Sequence, residues 1–170
     1  MTTTDTHITE QAVTSSALRQ AAGQFATGIT VVSLHDGNGV RGMTANSFTS
    51  VSLDPPLILV SVDVRRSIHA LFGPERRFVV SVLASDQQAL SDRFARSSNQ
   101  ETTTFHDIAS RRTHDGLPLL DGALAHFVCR LDAAHPAGDH TLFIGLVEHV
   151  EVTPAQPLLY VAGQYRTLGK

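Results

Sequence analysis

The chain has 170 residues, of which 42% are hydrophobic, 17% charged and 6% aromatic, the size and make-up of one ordinary globular domain. Sixteen acidic against thirteen basic residues give a net charge of −3, too balanced for a chain whose main partner is a nucleic-acid backbone or an anionic membrane surface. The single cysteine, Cys129, excludes an internal disulfide or a multi-thiolate metal site and fits a reducing cytoplasm, while the only lysine, Lys170, stands at the end of the chain and excludes chemistry that needs an internal one.

The opening MTTTDTHITEQ has neither the basic nor the apolar block of a signal peptide, and no segment approaches the roughly 20 apolar residues of a membrane span. Residues 1–14 are polar and threonine-rich and are expected to form a flexible arm, leaving 15–170 as one domain. There is no internal repeat. A helix is expected from Ser15, its N-cap candidate, with Leu18, Ala21, Ala22 and Phe25 at spacings of three and four, ending near Gly28. The β-branched run 29–32, the turn cluster HDGNG (35–39) and residues 40–49 predict a hairpin. LDPP (53–56) is expected to break pairing before a buried strand, LILVSV (57–62).

Residues 67–72 predict a helical turn, RFVVSVL (77–83) a strand, and a capping box at Ser85 a second helix carrying Leu90, Arg93 and Phe94. The polar stretch 97–113 reads as loop with room for a short helix. Strands return at 123–134, where Ala125, Phe127, Cys129 and Leu131 alternate with His126, Val128, Arg130 and Asp132, which makes His126 an exposed residue of the polar face. The last strands are expected at 140–152 and 157–165, separated by TPAQP. The chain is therefore mainly β with a few short peripheral helices, and closing the sheet into a barrel would remove its edges. A doubly wound dinucleotide fold is excluded, because no GxGxxG follows a strand and helices do not alternate with strands.

Three segments could carry chemistry. In RGMTANSFTSVSLDPP (41–56) small hydroxyl and amide side chains would let a ligand approach the backbone; a solvent-facing strand rich in threonine is the alternative. In LILVSVDVRRSIHALF (57–72) a strand feeds a short helix with Arg65, Arg66 and Ser67 at its start, a phosphate cradle unless Ser67 merely caps and the arginines are solvated. In HPAGDHTLFIGLV (135–147) a turn delivers His140 to the mouth of an apolar strand, where it can donate, accept or titrate. The histidines lack a recognised ligand spacing, so no metal is expected. No hydrolase motif is present, and Cys129 within an apolar alternation reads as a core thiol.

Taken in order, FATGITVVS (25–33), GMTANSFTSVSLDPPLILVSV (42–62), RRSIHALF (65–72), FVVSVLA (78–84), SDRFA (91–95), GDHTLFIGLVEHV (138–150) and GQYRTLG (163–169) resemble the short-chain flavin reductases. These are NAD(P)H:flavin oxidoreductases with an FMN-binding split β-barrel that serve as reductase components of two-component monooxygenases. The resemblance spans about residues 16–169. It implies FMN or FAD reduced by NADH or NADPH, a homodimer, a partner oxygenase and a cytoplasmic setting. It implies that Thr44, Ala45, Asn46, Ser47, Ser61, Val62 and Asp63 line the flavin, that Arg66 and Ser67 hold its phosphate, and that Phe94 and Ala95 pack nearby. His140, the candidate catalytic residue, would face the nicotinamide together with Gly163, Tyr165 and Arg166. Hydride transfer between two stacked rings needs positioning and exclusion of water rather than a strong acid or base. Two further readings stay open: a flavin held as a prosthetic group for the chain's own small substrate, and a non-catalytic flavin-binding module.

Overall fold

A computed structural model describes residues 12–96 and 105–169. The expected arm at 1–14 lies mostly outside the described residues, as do 97–104 of the expected loop. In chain order the elements are α1 (Ser15–Ala22), β1 (Thr27–Gly28), β2 (Thr30–His35), β3 (Val40–Ala45), β4 (Phe48–Leu53), β5 (Pro56–Asp63) and a 3-10 turn (His69–Leu71). There follow β6 (Arg77–Val82), α2 (Gln88–Ala95), β7 (Ser110–Arg112), β8 (Pro118–Leu120), β9 (Ala125–Ala137), β10 (His140–Val152), β11 (Leu159–Val161) and β12 (Gln164–Arg166). The chain is mainly β, as its patterning predicts.

One seven-stranded antiparallel sheet in the order β3-β2-β6-β9-β10-β5-β4 carries the fold, with a three-stranded sheet β1-β11-β12 and the hairpin β7-β8 beside it. Period-2 alternation explains its inner face. Val32, Leu34, Val60, Val62, Phe78, Val80, Cys129 and Phe143 form a core against which Phe72 stacks on Phe143 at 4.0 Å between ring centroids. The opposite face of β2, β6 and β9 is buried as well. Val31 packs with Leu83, Phe94, Phe105 and Leu158, and Val79 and Val128 pack under Leu117 and Leu119 of the β7-β8 layer. Burial on both faces is why the β-branched run 29–32 leading through β2 does not alternate with exposed polar residues.

Several local expectations are corrected. The N-cap of α1 is Thr14, whose hydroxyl accepts from the Ala17 N–H, and the helix stops at Ala22 with none of its residues buried. Residues 40–49 are two strands, because Asn46 and Ser47 turn the chain from β3 into β4. LDPP does not break pairing: Leu53 pairs with Pro56 across a tight connection that contains the cis Asp54–Pro55 bond. The capping box at Ser85 is unused, since Gln87 occupies the N-cap position and its side-chain oxygen instead accepts from the Ala84 N–H. Residues 110–112 form a strand, and 157–165 split into β11 and β12 around Ala162 and Gly163, both at positive φ.

The largest correction is His126. It is 3% exposed, lies under the β7-β8 layer, and donates its Nε2–H to the Leu120 carbonyl at 3.0 Å. Alternation assigns a residue to a face of its strand but is silent on whether another layer covers that face.

Candidate functional site

A cleft of about 260 Å³ opens where the β3-β4 corner, the end of β5 and the start of β10 meet. Its walls are Met43, Thr44, Ala45, Asn46 and Ser47 from the corner, Ser61, Val62 and Asp63 from β5, Arg66 from the following turn, and His140. Residues from three sequence segments thus share one concave surface. Antiparallel register does this: Asp63 pairs directly with His140 across β5 and β10, and the Ser47 carbonyl accepts from the Ser61 N–H at 3.2 Å.

Two hydroxyl groups of the cleft are pre-committed. Thr44 Oγ1 donates to the Ser91 carbonyl of α2 at 2.7 Å, and Ser47 Oγ donates to the Ser61 carbonyl at 2.7 Å. Each hydroxyl has one proton, so both oxygens face a ligand only as acceptors. Arg66 supplies positive charge and reaches the Ala95 carbonyl at 3.4 Å. Asp63 is occupied by Arg65, whose hydrogen bonds hold the Asp63 carboxyl well below the usual carboxylate range.

The remaining expected site residues stand elsewhere. Ser67 is exposed and outside the cleft lining, and the helix anticipated after it is only the turn His69–Leu71, so the helix-dipole part of the phosphate argument does not apply. Phe94 is buried behind β3, stacked on Phe105 at 4.8 Å, and Ala95 follows it at the end of α2. Tyr165 and Arg166 line a separate cleft of about 300 Å³ with Ser85, Gln88, Leu158 and Thr167, and Gly163 forms the turn between β11 and β12. Tyr165 is joined to the cleft wall indirectly. Its hydroxyl donates to Asp92 at 2.9 Å and meets Ser91 Oγ at 2.8 Å, and burial pushes the phenol's pKa up, so it stays protonated. Ser91 is fully buried and is the residue whose carbonyl fixes Thr44.

Sequence reasoning missed Met43 and Ser91. Met43 follows from the alternation of β3 once its inner face is known. Ser91 had no signal, since its role depends on how α2 docks. A further cleft of about 330 Å³ lies under the β7-β8 hairpin and includes Arg77, Arg111, Arg112 and His149. Two of its guanidiniums are already neutralised: Arg77 by Asp115 at 2.6 Å and Glu148 at 2.9 Å, Arg111 by Glu151 at 2.5 Å. Cys129 is wholly buried and burial pushes its thiol up to about 12, which leaves it a packing residue.

The flavin reductase like domain family matches residues 22–169. An NADH-dependent flavin reductase of Rhodococcus sp is 43% identical over 159 residues, covering 92% of this chain and 88% of that protein. The reductase component of 4-hydroxyphenylacetate 3-monooxygenase from Thermus thermophilus is 38% identical over 157 residues, covering 89% and 95%. Among solved structures, the Streptomyces globisporus NADH:FAD oxidoreductase SgcE6 in complex with NAD and FAD fragments superposes with a TM-score of 0.83 at 38% identity, covering 91% of this chain and 92% of that one.

Proposed function

The chain belongs to the flavin reductase like domain family, and from that membership we propose that it catalyses the NADH-dependent reduction of FMN or FAD and hands the reduced flavin to a partner monooxygenase. The observation that carries this reading is the single cleft shared by the β3-β4 corner, Arg66 and His140.

The donor set suits a flavin. Thr44 and Ser47 offer acceptors to ring N–H and ribityl hydroxyl groups, Asn46 offers both a donor and an acceptor, and Arg66 offers a guanidinium to the phosphate. When bound, the flavin supplies the redox chemistry by accepting a hydride from the nicotinamide. The chain's own task is geometric and electrostatic. The corner 44–47 and Ser61 to Asp63 would hold the flavin ring, buried Val62 and Met43 would keep water from it, and His140 would position the nicotinamide.

The assay is NADH loss at 340 nm with purified protein and added flavin. Turnover that scales with free flavin supports a diffusible flavin substrate, turnover independent of added flavin means a prosthetic group, and no NADH loss defeats the enzyme reading.

The seven-stranded sheet is read as a split barrel in which the outer strands β3 and β4, joined by Asn46 and Ser47, approach one another. Residues 15–170 act as one domain behind an N-terminal arm. A homodimer is supported by exposed apolar side chains: Leu53, 92% exposed at the end of edge strand β4, and Leu18 and Phe25 on and after α1. Light scattering at micromolar concentration tests it. The reaction belongs in the cytoplasm, where NADH is available; no helix among the described residues is long and apolar enough to cross a membrane.

A further inference from the structure

His140 stands between two carboxylates, Asp63 opposite it on β5 and Asp139 just before it in the β9-β10 turn. The Asp63 carboxylate is taken. It accepts the Arg65 backbone N–H at 2.8 Å, Arg65 Nε at 3.0 Å and Arg65 Nη2 at 2.5 Å. Asp139 remains, with Oδ1 2.7 Å from His140 Nδ1. A carboxylate only accepts, so the proton of this hydrogen bond belongs to Nδ1. The hydrogen bond in turn holds the Asp139 carboxyl below its usual range, which keeps it ionised at neutral pH.

The pair lies at the surface, with the His140 and Asp139 side chains 41% and 74% exposed, on a turn that the backbone fixes. Gly138, at φ +64, closes the turn, and the Asp139 carbonyl accepts the Val64 N–H at 3.1 Å, tying the turn to the chain leaving β5. Nε2 of His140 has no protein partner among the described residues, and the ring lines the cleft. A neutral imidazole with its proton on Nδ1 has a lone pair on Nε2.

We propose that Asp139 is a positioning residue that holds His140 in the Nδ1–H tautomer, so that Nε2 accepts a hydrogen bond from the primary amide of the nicotinamide carboxamide. The inference rests on the reading of His140 as the group on the nicotinamide side. It replaces the broader expectation that His140 could either donate or accept.

The test uses full-length protein. Long-range 1H–15N spectra of the ligand-free protein at about pH 8, above the usual histidine range, read the tautomer directly. Wild type is expected to show Nδ1–H, Asp139→Ala to shift toward the Nε2–H form that an unconstrained imidazole prefers, and Asp139→Asn to retain Nδ1–H, since its amide oxygen still accepts. In steady state the KM for NADH rises about tenfold in Asp139→Ala, the worth of one hydrogen bond, and stays near wild type in Asp139→Asn. The reduced 3-acetylpyridine analogue of NADH has a methyl ketone in place of the amide. It should show a KM about tenfold above that of NADH in wild type, with the difference lost in Asp139→Ala. An Nε2–H ring in wild type, or an unchanged tautomer in Asp139→Ala, overturns the positioning role. A switched tautomer with an unmoved ratio of NADH to analogue overturns the amide contact and, with it, the nicotinamide reading of His140.

Discussion

Gly145 of β10 faces the edge of the Phe78 ring so closely that a Cβ built on it would lie 2.5 Å from Phe78 Cζ and 3.0 Å from the Cys129 Cβ. Phe78 and Cys129 are both fully buried, so neither can retreat into solvent. Gly145→Ala is expected to cost about 2 kcal/mol by overpacking, lowering Tm by about 4–8 °C in a scan by circular dichroism. Phe78→Leu in the same background should recover part of the loss. An unchanged Tm would mean that β10 can shift away from β6 without penalty.

Gly42 repeats this relationship on the other face. A Cβ there would lie 2.5 Å from Phe94 Cε1 and 2.8 Å from Phe105 Cζ. Phe94 sits on α2 one turn after Ser91, whose carbonyl fixes the Thr44 hydroxyl. Gly42→Ala should therefore destabilise by about 1–3 kcal/mol and also weaken flavin binding, because displacing α2 moves the anchor of the cleft wall. Thermal melts and flavin fluorescence titrations, run together, check both parts.

Arg66 is expected to set phosphate affinity. Arg66→Gln should raise the Kd for FMN about 10- to 100-fold, the range of a hydrogen bond to a charged group, while leaving riboflavin, which lacks the phosphate, nearly unaffected. Ser67→Ala should change neither, since Ser67 is exposed and outside the cleft lining. Equal losses for FMN and riboflavin would assign Arg66 to the ring instead.

His126 predicts the acid limb of stability. Burial is the main cause that pushes its pKa below 6.5, so the neutral ring is the folded form. The unfolded chain takes up this proton first as pH falls. Stability is therefore full above about pH 6.5 and declines as the pH drops below it toward the depressed folded value. Urea midpoints at pH 7.5 and 5.5 should differ in wild type and converge in His126→Gln, which keeps a donor for the Leu120 carbonyl but does not titrate. The carboxylates held low by arginines, such as Glu151 at about 2, lose their contribution only at more acid pH.

Short-range physics made much of this chain legible. The alternation of β10, the β-branched run of β2 and the HDGNG turn each predict their element, because side-chain period and turn chemistry are local properties. The ordered blocks resembling flavin reductases named nine of the ten residues that line the 260 Å³ cleft, and Met43 was the one left out. Boundaries moved wherever a neighbour competed for a hydrogen bond, as when Gln87 rather than Ser85 came to open α2.

The sequence by itself determined the mainly β class, several of the strands and the residue types available for a ligand. Tertiary structure alone decided which faces are covered and which hydrogen bonds are spent. His126 is buried because a hairpin formed by residues 110–120 covers it, and Tyr165 belongs to Ser91 and Asp92 because β12 docks on α2 across more than seventy residues of chain. Such choices depend on the competition of all nearby donors and acceptors in space, which no spacing along the chain encodes.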